Sequence, residues 1–510
     1  MTEMSRALNR QLGVMIDRRG HITHVIVGDA HQLFIPDLKR HRAGSSRFRG
    51  IRLVHTHLRG EGLTEDDLTD LSLLRLDAVV VLAAGMDGLP GFMEVGTIRP
   101  DAPADDAKPW AVERRKGLND WPTNFLAFIE ELEGQIGSSA AIQRVPGAEG
   151  AIVIGVSTTR QDEAEDSLDE LERLAHTAGL QVLDRFLQRR RKPDHKYMVG
   201  KGKLQSILVR AMQLDAEVLV FDAELSPSQL RNIATDTELK VVDRTSLILD
   251  IFSQRATTRE GKLQVELAQL RYRKPRLALM PTAMSRLTGG IGGRGPGETK
   301  LEINRRRADE RQNRLEKQLK KLSKQRALRR NRRRRVGLPH VAIVGYTNAG
   351  KSTMLNRMTR SAVDAEDKLF ATLDPTSRRL RFPEEREVIL TDTVGFIRQL
   401  PKDLVHAFRS TLEEVAEADL LVHVIDSASP QIQTHVDEVD QTLAELGVED
   451  IPTIRVLNKI DAVPEDAWLA LKTAHKAMLV SAHNGDGLGA LMIQIERHLF
   501  RETAQGTLDA

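Results

Sequence analysis

The chain has 510 residues, with 75 lysines and arginines against 72 aspartates and glutamates, and it contains no cysteine. This length allows roughly three domains, and the lack of cysteine excludes disulfides and thiolate metal sites. No apolar run could span a bilayer, and residues 1–18 lack the apolar core of a signal peptide. We therefore expect a cytoplasmic protein, a monomer, with peripheral association with a membrane left open.

Residues 1–148 have the pattern of an extra N-terminal α/β domain. Short apolar runs predict strands at 12–16, 24–27, 51–55 and 77–83. Residues 99–122 are rich in proline, aspartate and alanine, which favours a loop or linker.

The residues at the end of the third predicted strand suggest a zinc site. His55 and His57 are two residues apart, so their side chains point to one face of the strand, and Asp67 could complete the ligand set. The arrangement resembles the H-x-H…S-x-x-D pattern of JAMM-type metallopeptidases. Here the spacing is one residue shorter, Thr64 replaces the serine, and the first strand has no glutamate. The alternative is a coincidental or decayed pattern in a scaffolding domain.

Residues 149–280 alternate strand-like and helix-like segments. Strands are predicted at 151–156, 181–186, 217–221 and 240–242, with helices between them. This alternation of strands and helices predicts a second α/β domain with a parallel sheet. The basic loop 193–203 suits phosphate or RNA backbone, and an ordinary solvated turn is the alternative.

Residues 281–335 form a predicted connector. The glycine-rich stretch 289–298 is not expected to form regular structure by itself and should become ordered against a partner. The long helix that follows places Leu315, Leu319 and Leu322 on one stripe, which a hairpin with residues 254–270 would bury.

The connector is strongly basic. Residues 300–335 hold 17 lysines and arginines against 4 aspartates and glutamates. Like charges on one helix repel, and a polyanion would offset that repulsion. The charge therefore favours nucleic acid, RNA above all, over a solvated linker.

Residues 336–500 contain a phosphate-binding motif, and residues 501–510 form a tail. The segment from Gly345 to Thr353 fits G-x-x-x-x-G-K-[ST] and lies between a strand pattern and a helix pattern, as in a P-loop. Lys351 would reach the β- and γ-phosphates, and Ser352 would offer its hydroxyl to Mg²⁺.

Three further motifs belong to the same predicted site. Asp392 would hold Mg²⁺, directly or through water, and the Gly395 N–H would sense the γ-phosphate. Asp461 can accept two hydrogen bonds that guanine donates and adenine does not, which favours GTP. In the first switch, Thr372 is the better candidate for a second Mg²⁺ hydroxyl, and Thr376 is the alternative.

The predicted site therefore has three overlapping groups. The GTP-binding residues are Gly345, Tyr346, Thr347, Asn348, Ala349, Gly350, Lys351, Ser352, Thr353, Phe370, Ala371, Thr372, Leu373, Asp374, Asp392, Thr393, Val394, Gly395, Asn458, Lys459, Ile460, Asp461, Ser481 and Ala482. The residues predicted to act in hydrolysis are Lys351, Thr372, Gly395 and Asn348, and those predicted at Mg²⁺ are Ser352, Thr372 and Asp392.

These motifs resemble those of the HflX family of ribosome-associated GTPases over about residues 150 to 500. The similar stretches are 195–203, 221–227, 243–254, 261–270, 289–298, 345–353, 370–376, 392–426 and 458–461. The resemblance implies GTP and GDP binding, GTP hydrolysis, and binding to the large ribosomal subunit and its RNA. It also implies splitting of stalled ribosomes under stress, with the glycine-rich loop and hairpin entering the peptidyl transferase region. Residues before about 148 are extra, and the further C-terminal domain of many members is missing or minimal.

The hydrolytic machinery departs from that of Ras-like enzymes. Phe396 stands where those enzymes place the glutamine that orients water, so slow intrinsic hydrolysis is expected. Asn348 resembles the asparagine that holds K⁺ in potassium-dependent GTPases; the alternatives are a plain loop residue and a group supplied by the ribosome. Two other functions stay open, a GTPase of ribosome assembly or RNA modification and a GTP-regulated metallopeptidase.

Overall fold

The computed structural model describes residues 1–36, 38, 48–100, 109–116, 124–141, 147–158, 160–237, 239–277, 300–359, 369–370, 373, 375–382, 386–398 and 414–500. The chain divides into two compact units, Met1–Arg244 and Thr245–Ala510. Among the described helices, none is both long and apolar enough to cross a membrane. The predicted boundaries at 148, 280 and 335 stay predictions.

The first sheet has six strands in the order β2-β1-β3-β4-β5-β6. Its elements are α1 (Thr2–Leu8), β1 (Leu12–Asp17), β2 (Ile22–Val27), β3 (Ile51–His57), α2 (Glu65–Leu73), β4 (Ala78–Ala84), β5 (Pro90–Ile98), β6 (Trp110–Arg115) and α3 (Phe125–Ala141). Strands β3 and β4 are parallel, and the other neighbours are antiparallel. The four predicted strands are confirmed. The loop prediction for 99–122 is wrong at 110–115, because those residues pair with β5 as an edge strand.

The second sheet has four strands, all parallel, in the order β10-β9-β7-β8. Its elements are β7 (Glu149–Ser157), α4 (Gln161–Thr177), β8 (Leu180–Arg189), α5 (Lys201–Gln213), β9 (Val218–Phe221), α6 (Pro227–Asp236) and β10 (Lys240–Asp243). The predicted parallel sheet is confirmed, since its central apolar strands β7 and β9 are covered on both faces. Val209 and Met212 of α5 share one core with Leu71 and Ile129 of the first sheet's helices.

Two long helices form the predicted hairpin in the second unit. The helices of this region are α7 (Arg244–Arg255), α8 (Arg259–Leu277) and α9 (Lys300–Val336). Leu315 of α9 is fully buried. Ion pairs join α9 to α8: Arg311 lies 2.7 Å from Glu266, and Arg271 lies 2.9 Å from Glu316. The glycine-rich stretch 289–298 lies outside the described residues.

The third sheet has six strands in the order β12-β13-β11-β14-β15-β16. Its elements are β11 (His340–Gly345), α10 (Lys351–Thr359), β12 (Thr376–Arg381), β13 (Glu387–Asp392), β14 (Leu420–Asp426), α11 (Ile432–Glu445), β15 (Thr453–Asn458), a 3₁₀ turn (Ile460–Ala462), α12 (Glu465–His475), β16 (Met478–Leu479) and α13 (Leu488–Phe500). Only the edge strand β12 is antiparallel to its neighbour. The carboxyl ends of β11, β13, β14 and β15 therefore meet at one side of the sheet.

Candidate nucleotide site

The predicted phosphate loop connects β11 to the start of α10. Two of its residues have left-handed backbone conformations, with φ of +91° at Gly350 and +61° at Asn348. A Cβ at Gly350 would lie 2.3 Å from Nδ2 of Asn458, so this position accepts only glycine without rearrangement. Asparagine tolerates the left-handed region, which gives the exposed Asn348 a conformational role of its own.

Lys351 begins α10 and points back into the loop. Its ammonium donates hydrogen bonds to the carbonyl oxygens of Tyr346 at 2.8 Å and Gly345 at 3.2 Å. Burial lowers the pKa of Lys351 to about 8, and the negative charge of Asp392 partly opposes that shift. A buried cation at the centre of a ring of backbone groups is suited to polyphosphate oxygens.

Ser352 and Asp392 lie together at the ends of α10 and β13. The serine hydroxyl donates to the Asp392 carboxylate at 2.7 Å. The next residue, Thr393, is fixed by a hydrogen bond to the carbonyl of Ile343 at 2.7 Å. Hydroxyl and carboxylate oxygens are the donors that Mg²⁺ prefers, so this pair fits a magnesium site.

The segment after β13 is held against the phosphate loop. The Thr347 N–H donates to the carbonyl of Phe396 at 2.7 Å, and the Phe396 N–H donates to the carbonyl of Gly345 at 3.1 Å. A Cβ on Gly395 would lie 2.9 Å from Nζ of Lys351 and 2.9 Å from Cα of Thr347. Gly395 therefore allows a close approach that no side chain would permit.

Phe396 contributes backbone hydrogen bonds here, and its side chain is buried, only 3% exposed. It is a packing residue, as expected for a residue that cannot orient water. Val394 and Ala349 are also buried, and Thr353 is half-buried in the first turn of α10.

The predicted base-binding residues lie at the ends of β15 and β16. Asn458 braces the phosphate loop, since its Nδ2 donates to the carbonyl of Ala349 at 2.8 Å and its Oδ1 accepts from the Ala482 N–H at 2.9 Å. The Ser481 hydroxyl donates to the exposed carboxylate of Asp461. Ile460 is buried beneath this turn.

Part of the predicted first switch is described. Phe370 is buried, and its ring meets the ring of Phe252 in α7 edge-on, with centroids 4.6 Å apart. Leu373 is also buried. Ala371, Thr372 and Asp374 lie outside the described residues.

Three contacts at the site were not predicted from the sequence motifs. The Tyr346 hydroxyl accepts a hydrogen bond from the Arg398 N–H at 2.8 Å, and its ring stacks on His435 at 3.9 Å. Lys459 forms an ion pair of 2.7 Å with Asp426 at the end of β14. A charged residue directly after an apolar strand is the only signal that could have indicated Asp426.

The three predicted zinc ligands come together far along the chain from these motifs. The ligand atoms of His55, His57 and Asp67 lie within 4.8 Å of one another.

Three family models match consecutive parts of the chain. They are described as "GTP-binding GTPase N-terminal" over residues 165–253, "GTP-binding GTPase Middle Region" over 255–333 and "50S ribosome-binding GTPase" over 340–459.

Relatives named GTPase HflX match over most of their length. A GTPase HflX of Caldanaerobacter subterraneus is 48% identical over 355 residues, covering 70% of this chain and 82% of the relative. The GTPase HflX of Escherichia coli is 45% identical over 368 residues, covering 72% and 86%. A crystal structure of a GTP-binding protein from the archaeon Sulfolobus solfataricus with GDP is 25% identical, covers 69% of this chain and 99% of that one, and has a TM-score of 0.39. The identity and coverage shared with the two HflX relatives show that the chain belongs to the HflX family of P-loop GTPases, enzymes that bind and hydrolyse GTP.

Proposed function

We propose that this GTPase is a cytoplasmic switch that acts on the ribosome. In the GTP state it binds the large ribosomal subunit and separates stalled ribosomes, and hydrolysis releases it. The observation that carries the proposal is the basic surface of α9.

The charge on α9 is divided between two faces. Arg311 and Glu316 pair with Glu266 and Arg271 of α8, and Asp309 pairs with Lys274. The exposed lysines and arginines of α9 include Arg305, Arg307, Arg314, Lys317, Lys320, Lys321 and Lys324. A row of exposed cations on a long helix suits the phosphate backbone of structured RNA, which proteins recognise largely by shape and charge. The family model over 340–459 is described as ribosome-binding, which supports the same partner.

Each residue of the nucleotide site has a proposed task. Lys351 would stabilise charge on the transferring phosphoryl group, and the Gly395 N–H would donate to a γ-phosphate oxygen. Asp461 would accept the two guanine hydrogen bonds, with Asn458 and Lys459 bracing the base and the loop. Ser352 and Asp392, with Thr372, would hold Mg²⁺, which when bound neutralises charge on the β- and γ-phosphate oxygens.

Slow hydrolysis without the ribosome is part of the proposal. Phe396 has no polar group that could orient water, so the catalytic group must come from elsewhere. We propose K⁺ held by Asn348, or a group supplied or ordered by the ribosome.

The test is GTP turnover in potassium and in sodium buffer, with and without purified ribosomes, while sedimentation follows the dissociation of subunits. We expect ribosomes to accelerate turnover and GTP to separate the subunits. Without ribosomes, faster turnover in potassium than in sodium would assign the missing catalytic group to the ion. Equal turnover in the two buffers would assign it to the ribosome. Turnover that ribosomes leave unchanged, with no dissociation of subunits, would contradict the proposal and direct the search to assembly precursors.

A further inference from the structure

A cluster of three ligand-type side chains lies in the first unit, in a part of the chain that none of the three matching family models covers. His55 and His57 are two residues apart at the end of β3, so both rings lie on one face of the strand. Asp67 comes from the first turn of α2, the next helix in the chain. Two secondary-structure elements therefore deliver two imidazoles and one carboxylate to one point.

The ligand atoms of the three side chains lie close together. Nε2 of His55 lies 3.1 Å from Nε2 of His57 and 3.1 Å from Oδ1 of Asp67, and Nε2 of His57 lies 3.6 Å from the other carboxylate oxygen, Oδ2 of Asp67. Ligands bound to tetrahedral zinc at ~2.0–2.2 Å stand roughly 3.3–3.6 Å apart. The two imidazoles and one carboxylate therefore have nearly the spacing that a shared ion requires.

The hydrogen bonds around His57 set which nitrogen faces the cluster. Nδ1 of His57 lies 3.0 Å from the carbonyl oxygen of Gly62. A carbonyl oxygen only accepts, so Nδ1 is the donor, and in the neutral ring Nε2 presents its lone pair to His55 and Asp67. A backbone carbonyl that fixes the tautomer in this way is the usual outer partner of a metal-binding histidine.

Hydrogen bonds from neighbouring residues also fix the carboxylate of Asp67. Oδ2 accepts hydrogen bonds from the Thr64 hydroxyl at 2.7 Å and the Thr64 N–H at 2.8 Å, within the capping box that begins α2. The carboxylate is thereby fixed with Oδ1 towards His55. Glu94 secures the adjoining loop, because its carboxylate accepts from the Leu63 N–H at 2.8 Å.

His55 directs its polar contacts into the cluster. It is fully buried. Among the described residues its Nδ1 has no hydrogen-bond partner, so its polar contacts all run through Nε2 to His57 and Asp67. The side chain of Asp67 is 15% exposed, which leaves a route for an ion from solvent.

We infer that His55, His57 and Asp67 bind one divalent zinc ion through Nε2, Nε2 and a carboxylate oxygen. Three protein ligands leave the fourth tetrahedral position to water, which is the arrangement of exchangeable sites rather than of closed structural ones. The site is independent of the GTPase chemistry, so its test does not depend on ribosome binding.

The experiment uses the full chain, stripped with a chelator and reloaded with Zn²⁺, with metal content measured after gel filtration. The test variants are Asp67→Asn, which is nearly isosteric and can still accept from Thr64, and His57→Gln. His21→Gln is the matched control, because His21 is an exposed histidine in the turn between β1 and β2, 3.3 Å from Asp17, and belongs to no metal-ligand cluster among the described residues. Co²⁺ serves as a visible-absorbing probe, and circular dichroism checks that each variant is folded.

We expect stoichiometric zinc, and Co²⁺ bands typical of four or five ligands, in the parent protein and in His21→Gln. Losing only an outer partner costs about 10- to 100-fold in affinity, so loss of a ligand in either test variant should weaken zinc binding by more than about 100-fold. Folded test variants that bind zinc as well as His21→Gln does would overturn the inference and indicate an adventitious ion only. Retention of iron in place of zinc would overturn the assignment of the metal.

Discussion

At the residue scale, we propose that one exposed carboxylate, that of Asp461, sets the identity of the bound base. We expect Asp461→Asn to weaken GTP binding by about 100-fold or more, because the amide cannot accept both guanine donors and one of them is left unpaired. Xanthosine triphosphate should bind the variant better than GTP does, since its C2 carbonyl accepts from the new amide. Nucleotide titrations with both ligands measure the effect. Unchanged GTP affinity in the variant would remove Asp461 from the base site.

At Gly395 the segment after β13 lies close against the phosphate loop. A Cβ there would meet the Thr347 backbone and the Lys351 ammonium at 2.9 Å, so Gly395→Ala must displace the segment. Loss of one positioned donor typically lowers the hydrolysis rate by about 10²–10³. We expect a fall of that order, with GDP affinity changed much less.

The matched control for this change is Gly489→Ala, because a Cβ at Gly489 meets no atom within 4 Å. Single-turnover hydrolysis and GDP titration of both variants provide the comparison. Equal hydrolysis rates in the two variants would show that the close approach at Gly395 is not needed.

Lys351 should make nucleotide binding depend on pH. Burial holds the pKa of Lys351 at about 8, whereas phosphate groups nearby favour the charged ammonium and raise that pKa. Binding must then take up a proton above about pH 8, and affinity should fall by up to about tenfold per pH unit. Calorimetry in buffers of different ionisation enthalpy measures the uptake. An affinity that stays constant from about pH 7 to pH 9.5 would contradict this role.

At the scale of the elements, burial rather than charge holds the α8–α9 hairpin together. Glu266 and Arg311 are 38% and 44% exposed, and such surface pairs are worth about 0–1 kcal/mol. Leu315 is fully buried, and Leu315→Ala should cost about 2–5 kcal/mol.

Hydrogen exchange of the hairpin amides separates the two contributions. Leu315→Ala should raise exchange far more than Glu266→Ala. Leu328→Ala is the control, because Leu328 lies on the same helix and is 71% exposed. If charge held the hairpin together, Glu266→Ala would raise amide exchange more than Leu315→Ala.

The elements also show what sequence patterns can and cannot reveal. The central strands of the parallel sheets, β7, β9, β11 and β14, were predictable, because they are largely buried and form continuous apolar runs. β5 and β6 were not, since β5 begins with Pro90 and Gly91 and β6 is a half-exposed edge strand. The strand-end motifs located most of the candidate site. The Tyr346 contacts with Arg398 and His435 depend on tertiary packing, which no local pattern encodes.

At the scale of the whole molecule, the small net charge hides a strong separation of positive from negative charge along the chain. Residues 300–335 carry 17 positive and 4 negative side chains, a net +13, so with +3 for the chain all other residues together carry −10. RNA should therefore attract the connector and repel much of the remaining surface, which favours one orientation of binding.

This separation predicts the salt dependence of ribosome binding. Lys320→Glu/Lys324→Glu should reduce the slope of log affinity against log salt by about 2, roughly one for each lost phosphate contact. The control is Lys472→Glu/Arg497→Glu, an equal charge change at exposed positions of α12 and α13. Co-sedimentation at several salt concentrations gives both slopes. Equal slopes would show that α9 does not contact phosphate.

The edge-on contact between Phe252 and Phe370 joins α7 to the backbone two residues before Thr372. If GTP moves this segment, it changes what α7 packs against, and thermodynamic linkage makes that influence mutual. A partner that repositions α7 would then alter GTP affinity by the same factor by which GTP alters affinity for the partner. The two aromatic rings would thus let a macromolecule set the nucleotide affinity of this protein without touching the nucleotide.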